Sequence, residues 1–175
     1  MKQYLLYIGC FCLYTNSVVG AQICQSNSTL ATTPTDQFIQ HQDGTLTDQA
    51  TGLMWQRCLI GQQGKDCSTG TAEQFSWAEA LLYLAQDAPH TQLAGYQDWR
   101  LPNIRELASL VELQCSQPAI NLTLFPDNGI GHVWSSSTYR FYPHYAWFLD
   151  FADGVFIYGD RQDKKRIRLV RDITP

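Results

Sequence analysis

The sequence predicts an α+β domain, in which short antiparallel strands come first and last and two helices lie between them. Three observations support this prediction: short strand-like runs bounded by turn residues near both ends, helix-capping sequences at Ser76 and Asn103, and the length of 175 residues. That length suits one domain with a sizeable core. The composition is 45% hydrophobic, 13% aromatic and 16% charged, which excludes a disordered chain and a coiled coil.

Residues 1–21 have the pattern of a secretory signal peptide. Met1-Lys2 gives a positive start, residues 4–13 are mostly apolar, and Val19-Gly20-Ala21 offers small side chains for cleavage. A membrane anchor and a lipoprotein signal at Cys10 are the alternatives. The pattern predicts an exported protein, periplasmic or extracellular, with no transmembrane segment in the mature chain.

The mature chain is mildly acidic and is predicted to hold one domain. Removing Lys2 with the leader leaves 11 basic and 16 acidic side chains, a net charge of −5. This charge argues against nucleic-acid binding through the overall field of the molecule. We expect an extended N-terminal arm over residues 22–36 and a single domain over residues 37–175.

Four cysteines follow the leader, and an even number in an exported chain indicates disulfides. Cys58 and Cys67 bracket a glycine-containing loop and are predicted to pair locally. That leaves Cys24 to attach the arm to Cys115. A zinc site is the alternative, but its usual close Cys pairs are missing. The four histidines are scattered, so the sequence predicts no metal and no cofactor.

Three short strands are predicted at the start of the domain. They cover Phe38–Gln40, Thr45–Asp48 and Leu53–Gln56. Asp43-Gly44 forms the first turn, and residues 49–52 form the second.

Two helices are predicted next. Ser76 and Glu79 form a capping box for a helix that runs to about Ala88. Its core face is predicted to carry Trp77, Leu81, Leu84 and Ala88. A second box at Asn103 and Glu106 starts a helix that fades near Cys115. The residues it should bury are Ile104, Leu107, Leu110 and Val111.

Strands return in the last third, over residues 133–136, 145–151, 155–158 and 166–171. The strand over 145–151 is predicted to place Tyr145, Trp147, Leu149 and Phe151 on one face. Asp153-Gly154 is the hairpin turn that follows it.

The order of landmarks resembles a known family. The longest block is Gly95-Tyr96-Gln97-Asp98-Trp99-Arg100-Leu101-Pro102-Asn103. The others are Asp43-Gly44-Thr45-Leu46-Thr47-Asp48, Thr51-Gly52-Leu53-Met54-Trp55, Trp134-Ser135-Ser136-Ser137, Phe151-Ala152-Asp153-Gly154 and Leu169-Val170-Arg171. Over about residues 36–171 the chain is similar to the C-terminal domain of a bacterial collagen-like adhesin, the Lcl C-terminal domain.

The resemblance implies a C-type-lectin-like fold, of the kind found in sulfatase-modifying factors. It also implies adhesion or extracellular binding, with sugar polymers such as glycosaminoglycans as ligands of the adhesin. The chain has no Gly-X-Y repeat, so its oligomeric state stays open. The cysteine pair of the formylglycine-generating relatives has no counterpart after Cys115, so their copper-thiol chemistry does not transfer.

Two patches are candidate ligand-binding surfaces. The first is aromatic, with Tyr139, Arg140, Tyr142 and Tyr145, joined by Tyr158 at the end of its strand. The second is basic, with Arg161, Lys164, Lys165 and Arg166. The alternatives are tyrosines tucked beneath their loop and a solvated charged hairpin beside an edge strand.

The predicted function is therefore an exported, non-catalytic binding domain for acidic or sulfated glycans or another surface ligand. One alternative is an envelope-modifying hydrolase with a site near His132 and Asp150. Another is a variable-loop display domain that binds proteins. Trp134-Ser135-Ser136-Ser137 lacks the Gly-x-Ser-x-Gly elbow of many serine hydrolases. Structural roles are predicted for Trp99 and Arg100. Trp99 should pack under the start of the second helix, and Arg100 should pair with an acid such as Asp98.

Overall fold

The computed structural model describes residues 21–25, 27–85, 93–126 and 131–173. Within these residues the chain forms eleven strands and two α-helices, with one-turn 3₁₀ helices at Thr35–Gln37 and Leu93–Gly95. The strands are β1 (Ile23–Cys24), β2 (Phe38–Gln40), β3 (Thr45–Asp48), β4 (Leu53–Gln56), β5 (Gln62–Gln63), β6 (Thr69–Gly70), β7 (Cys115–Ser116), β8 (His132–Thr138), β9 (Tyr145–Asp150), β10 (Val155–Asp160) and β11 (Val170–Asp172). The helices are α1 (Trp77–Ala85) and α2 (Ile104–Ala108). Residues 1–20 of the predicted leader lie outside the described part.

Strands dominate this architecture and form several small sheets. The arrangement is compatible with the predicted α+β class and equally with a mainly β description. The three predicted N-terminal strands are confirmed with their predicted bounds. They form an antiparallel sheet in the order β11-β4-β3-β2. Gly44, at φ 86°, occupies the left-handed region in the first turn, which a side chain with a Cβ rarely adopts.

A second antiparallel sheet has the order β10-β9-β8. Its register places Tyr158 opposite Trp147 and Ile157 opposite Phe148. The pairing of β8 with β9 is interrupted between Trp134 and Thr138, so the ladder shifts there. Such a bulge turns the following residues relative to the sheet.

The prediction of a strand over residues 166–171 is confirmed only at its C-terminal end. Val170–Asp172 pairs with β4, whereas residues 165–169 run between the two sheets. Lys165 bridges Phe75 on one side, and Arg166 bridges Val133 on the other. The Ile60 amide also donates to the Ile167 carbonyl over 3.2 Å. The segment is buried from both sides, so the simple alternation expected for a half-exposed strand does not hold.

Helix α1 begins at its predicted capping box, because the Ser76 amide donates to Glu79 Oε2 over 2.6 Å. The predicted core face is wrong at Leu81, which is 36% exposed. Ala80 is buried instead, with Trp77 and Tyr83 packed on the same core cluster. The buried stripe is therefore displaced from the predicted one, and the small Ala80 lets the helix lie close to the sheet. The predicted core position at Ala88 lies outside the described residues.

Helix α2 is shorter than predicted, with a complete capping box between Asn103 and Glu106. After Ser109 the chain continues as a turn, so Leu110 and Val111 reach the core although they lie beyond the helix. Ile104 is only half-buried.

The block around Trp99 is structural. Trp99 is buried, and its indole N–H donates to the Leu93 carbonyl over 2.9 Å. Asp98 is the wrong partner for Arg100, because Asp98 accepts from Arg171 over 2.7 Å. Arg100 instead forms a bidentate pair with Glu106, at 2.8 and 2.9 Å, since its side chain lies over the start of α2. The block thus connects β11 to α2.

Two clusters of buried side chains form the core. The first holds Phe38, Leu46, Leu53, Trp55, Leu59, Leu107, Leu110, Val111, Ala119, Ile120, Leu124, Phe125, Val133, Leu149, Phe151 and Val170. The second holds Met54, Ile60, Ala80, Trp99, Leu101, Trp134, Ala146, Phe148, Ile167 and Leu169. Leu149 and Phe148 are neighbours on β9 but belong to different clusters, so this part of the strand is covered on both faces.

Disulfides join Cys24 to Cys115 and Cys58 to Cys67, the pairs expected from the sequence. The first lies where β1 pairs with β7 and ties the N-terminal arm to the domain. Farther along the arm, the main chain at Thr32 and Thr33 donates to the carboxylate of Glu112. Residues 21–25 and 27–36 are therefore an attached strap.

Candidate functional site

One face of the β8-β9-β10 sheet carries a cluster of aromatic side chains that we call the aromatic surface. It comprises Tyr139, Phe141, Tyr142, Tyr145, Trp147 and Tyr158. Alternation along β9 puts Tyr145 and Trp147 on one face, and the register brings Tyr158 beside Trp147. The loop after β8 then brings Tyr139 over the same face.

The rings of the aromatic surface are stacked in layers. Tyr139 lies on Tyr158 with ring centroids 4.0 Å apart and an interplanar angle of 16°. Tyr145 stacks on the same Tyr158 at 5.8 Å. Trp147 meets Tyr139 edge-on at 5.3 Å. These are the offset and edge-to-face arrangements that aromatic pairs favour, so the rings hold one another in place.

The loop tip remains open to solvent. Tyr142 is 52% exposed and Phe141 is 72% exposed, while Tyr145 is half-buried. The loop closes on itself through the Tyr145 amide, which donates to the Tyr142 carbonyl over 3.0 Å. The Tyr139 amide donates to the Tyr145 carbonyl over 3.1 Å. The loop is therefore ordered while its tip displays aromatic area.

The Tyr139 hydroxyl is held in its protonated form by its surroundings. Partial loss of water around its hydroxyl raises the pKa of Tyr139, and the neighbouring Tyr158 adds to the shift. A protonated phenol can both donate and accept a hydrogen bond. The surface therefore combines apolar ring faces with hydrogen-bonding groups.

Two arginines border the aromatic surface. Arg140 is exposed, and its guanidinium lies 6.0 Å from the ring centroid of Phe141. Arg161 lies 4.2 Å over the ring of Trp77 and donates from Nε to the Tyr145 carbonyl over 3.2 Å. Arg161 thus links the loop to α1 and is less free to move than Arg140.

The other predicted basic residues, Lys164, Lys165 and Arg166, line one shallow pocket of about 200 Å³ together with Gly131 and His132. Lys164 forms an ion pair with Glu79, whose pKa falls to about 2 mainly because of this hydrogen bond. Lys165 is only 6% exposed. Its ammonium lies 4.3 Å from the ring of Phe148 and 3.0 Å from Asp163. Lys165 therefore packs against the core and also borders the pocket, and its role in ligand binding stays a prediction.

The two remaining arginines of this region differ in burial. Arg166 is half-buried beside Gly131, where an added Cβ would clash with the guanidinium. Arg168 is 1% exposed, donates to the Gln56 carbonyl over 2.8 Å and lies over the ring of Phe125. Of the predicted basic patch, Lys164 is exposed, Arg161 and Arg166 are half-buried, and Lys165 is buried.

His132 and Asp150 face each other across β8 and β9, with Nε2 and Oδ2 3.3 Å apart. Both side chains have solvent access. The hydroxyls of Ser135 and Ser136 donate to the carbonyls of Trp147 and Pro102, so they are turned away from this pair. The arrangement supplies a His–carboxylate contact but not a serine nucleophile beside it.

The described surface also has several shallow pockets. One of about 470 Å³ is lined by His41, Asp43, Arg57 and Lys65, among others. Another of about 440 Å³ is more apolar and includes Val111, Leu113 and Phe156. The sequence pattern did not indicate these pockets, because their walls come from segments that are distant along the chain.

Within residues 21–25, 27–85, 93–126 and 131–173, no group of three or more His, Cys, Asp or Glu side chains could hold a metal ion. The described helices include none long and apolar enough to cross a membrane.

The fold and the site together define a disulfide-bonded domain of short strands with an exposed aromatic face. The family model of the Lcl C-terminal domain matches residues 44–171, and the chain belongs to this family. Membership points to a surface-associated, adhesin-like domain. A comparison with curated proteins finds no match. The disulfides fit an exported protein.

Proposed function

We propose that this protein is an exported binding domain that recognises glycans through its aromatic surface. The observation that carries the proposal is the set of stacked and partly exposed rings around Tyr139, Tyr142 and Tyr158. The family supports a role in adhesion. In this proposal residues 1–21 are a removed leader, residues 37–175 are one domain, and the fold is a C-type-lectin-like variant.

The chemistry of the surface suits sugar rings. The apolar faces of pyranose rings stack on aromatic side chains, and their hydroxyls need donors and acceptors at the rim. Tyrosine offers both with only two side-chain torsions, so little conformational entropy is lost on binding. Tyr142 at the loop tip is the proposed first contact, because its ring is exposed and already stacked near Tyr139.

Arg140 and Arg161 would give the surface a preference for acidic or sulfated glycans. A guanidinium binds carboxylate or sulfate through paired, charge-assisted hydrogen bonds. Lys164 lies farther along the chain and is held by Glu79. The two arginines are therefore the proposed contacts for the anionic groups of a glycan, and the preference for acidic over neutral glycans should be modest.

The test is binding of the disulfide-bonded chain to a glycan array at low and high salt. We expect Tyr142→Ala to weaken binding to every bound glycan by roughly tenfold, equivalent to about 1.4 kcal/mol. Arg140→Gln should weaken the binding of acidic glycans only, and high salt should weaken the binding of the same glycans. Arg105→Gln removes an exposed arginine from α2 and should leave binding unchanged.

The aromatic surface would be the wrong site if Tyr142→Ala bound glycans like the unmodified chain. Failure of the folded chain to bind any glycan would refute the sugar proposal as a whole. Circular dichroism of each variant separates loss of binding from loss of structure.

A further inference from the structure

Strand β10 forms an open edge. It is the last strand of the order β10-β9-β8, and in the described residues no strand pairs with its outer side. The Arg161 amide donates to the His144 carbonyl, so Arg161 and His144 are a hydrogen-bonded pair. Hydrogen-bonded and non-hydrogen-bonded pairs alternate along an antiparallel ladder, so this pair fixes which residues of β10 bond β9. Val155, Ile157 and Gly159 therefore direct their main-chain groups toward β9. Those of Phe156 and Tyr158 face outward.

The side chains at this edge are apolar on both faces of the sheet. Val155, Phe156, Ile157 and Tyr158 follow one another and are each between 38% and 53% exposed. Edge strands are usually protected by lysine, proline, a short length or a covering loop. This run has neither lysine nor proline, and β10 has six residues. An edge of this kind is suited to pairing with another strand.

We propose that two copies of this chain associate through β10, antiparallel and edge to edge, about a two-fold axis at Ile157. The product is a continuous six-stranded sheet. The outward main-chain groups of Phe156 and Tyr158 in one copy would bond those of Tyr158 and Phe156 in the other. A second copy is the natural occupant because it offers an edge with the same apolar character on both faces.

Charge selects the register. A two-fold axis perpendicular to the sheet keeps the same face up in both copies, so allowed registers differ by whole two-residue steps. The axis at Ile157 brings Asp153, in the turn before β10, to the same end of the joined strands as Arg161, which follows β10 in the other copy. A shift of the axis to Phe156 puts Asp153 opposite Gly159, and a shift to Tyr158 puts Asp153 opposite Asp163. Only the first of these neighbouring registers pairs opposite charges across the strands.

This association would place the two aromatic surfaces on the same face of the joined sheet. Tyr158 and Phe156 share that face within one strand, and each would lie opposite the other residue in the second copy. The inference does not depend on glycan binding. A dimer that binds no sugar and a monomer that binds sugar are separate outcomes.

Cysteine cross-linking tests the register. In the proposed dimer the two copies of residue 157 form a non-hydrogen-bonded pair, with Cα atoms roughly 4.5 Å apart. That spacing suits a disulfide. Ile157→Cys should therefore give a covalent dimer under mild oxidation. Val155→Cys is the matched control, because its two copies would lie roughly 13 Å apart along the strands and should remain uncoupled.

Sedimentation of the disulfide-bonded full chain over a range of concentrations tests the association itself. We expect a concentration-dependent dimer that Ile157→Lys converts to a monomer, since like charges would meet at the axis. A second variant, Leu113→Lys, adds the same charge at another exposed apolar position and should still dimerise. A monomer at every concentration would overturn the proposal, as would equal cross-linking of Ile157→Cys and Val155→Cys.

Discussion

The carboxylate of Glu112 attaches the N-terminal arm to the domain through hydrogen bonds, and Glu112→Gln should weaken this attachment and lower the stability of the fold. Glu112 is 3% exposed. One oxygen accepts from the amides of Thr32 and Gln114 at 3.0 and 2.9 Å. The other accepts from the amide and hydroxyl of Thr33, both at 2.9 Å. An amide side chain keeps one of these oxygens and replaces the other with a donor.

The expected loss follows from counting the donors left without an acceptor. The hydroxyl of Thr33 can rotate and accept from the new NH₂ group, but the main-chain amide of Thr33 cannot. One buried unsatisfied donor costs about 1–3 kcal/mol, and the remaining bonds lose their charge assistance. We therefore expect Glu112→Gln to lower the free energy of unfolding by about 2 kcal/mol at neutral pH.

The dependence on pH gives a sharper result. Burial alone would raise the pKa of Glu112, but the hydrogen bonds from residues 32, 33 and 114 outweigh it and lower the pKa from its usual 4.5. The stabilisation is therefore complete above about pH 5 and is lost as the pH falls through the lowered pKa.

Urea unfolding of the oxidised chain at pH 7 and at pH 3 measures this directly. The difference in free energy of unfolding between the unmodified chain and Glu112→Gln should be smaller at pH 3 than at pH 7. Glu73→Gln, at an exposed acid, should change stability by less than about 0.5 kcal/mol at both pH values. If the two proteins differ in free energy of unfolding by the same amount at pH 7 and at pH 3, the stabilisation does not come from the charged form of Glu112.

Two further predictions concern stability. Replacing both cysteines of Cys24–Cys115 by serine should cost about 4.6 kcal/mol from its sequence separation of 91, against about 2.6 kcal/mol for Cys58–Cys67 with its separation of 9. Urea midpoints of the two double variants would check this order, and a larger loss from the short loop would contradict it. Lys165→Ala should lower the melting temperature through about 2 kcal/mol of lost packing and ion pairing, whereas Lys165→Met should lower it less because it keeps the apolar stem. Equal losses from the two Lys165 variants would show that packing of the stem is unimportant.

Local signals predicted the early elements well. The turn at Asp43-Gly44 and the capping boxes at Ser76 and Asn103 act within a few residues, so their effects can be deduced without knowing the fold. The three N-terminal strands follow from the same local chemistry. The face of α1 could not be predicted in this way, because both Leu81 and Ala80 are compatible with a helix. The close approach of the sheet decides which of them is buried.

The candidate site shows the same division. The aromatic loop was evident from the density of tyrosines, and alternation along the strand put Trp147 on the same face as Tyr145. The sequence did not show that this face changes from solvent-exposed to core along the strand, at Leu149. The basic run was evident as well. How deeply each of its residues lies depends on burial of residues 165–169 between two sheets, which is a long-range effect. Lys165 and Arg168 look like surface residues in the sequence and become core residues in the fold.

The buried segment between the sheets also governs when this protein can fold. Ile167 and Leu169 belong to one core cluster and Val170 to the other, and every other member of both clusters precedes them in the chain. During synthesis, therefore, neither core is complete until residues 167–170 have left the ribosome, and contacts of such long sequence separation form slowly. A chain made from its N-terminus therefore lacks the last members of both core clusters for most of its synthesis and cannot complete its native fold before it is released.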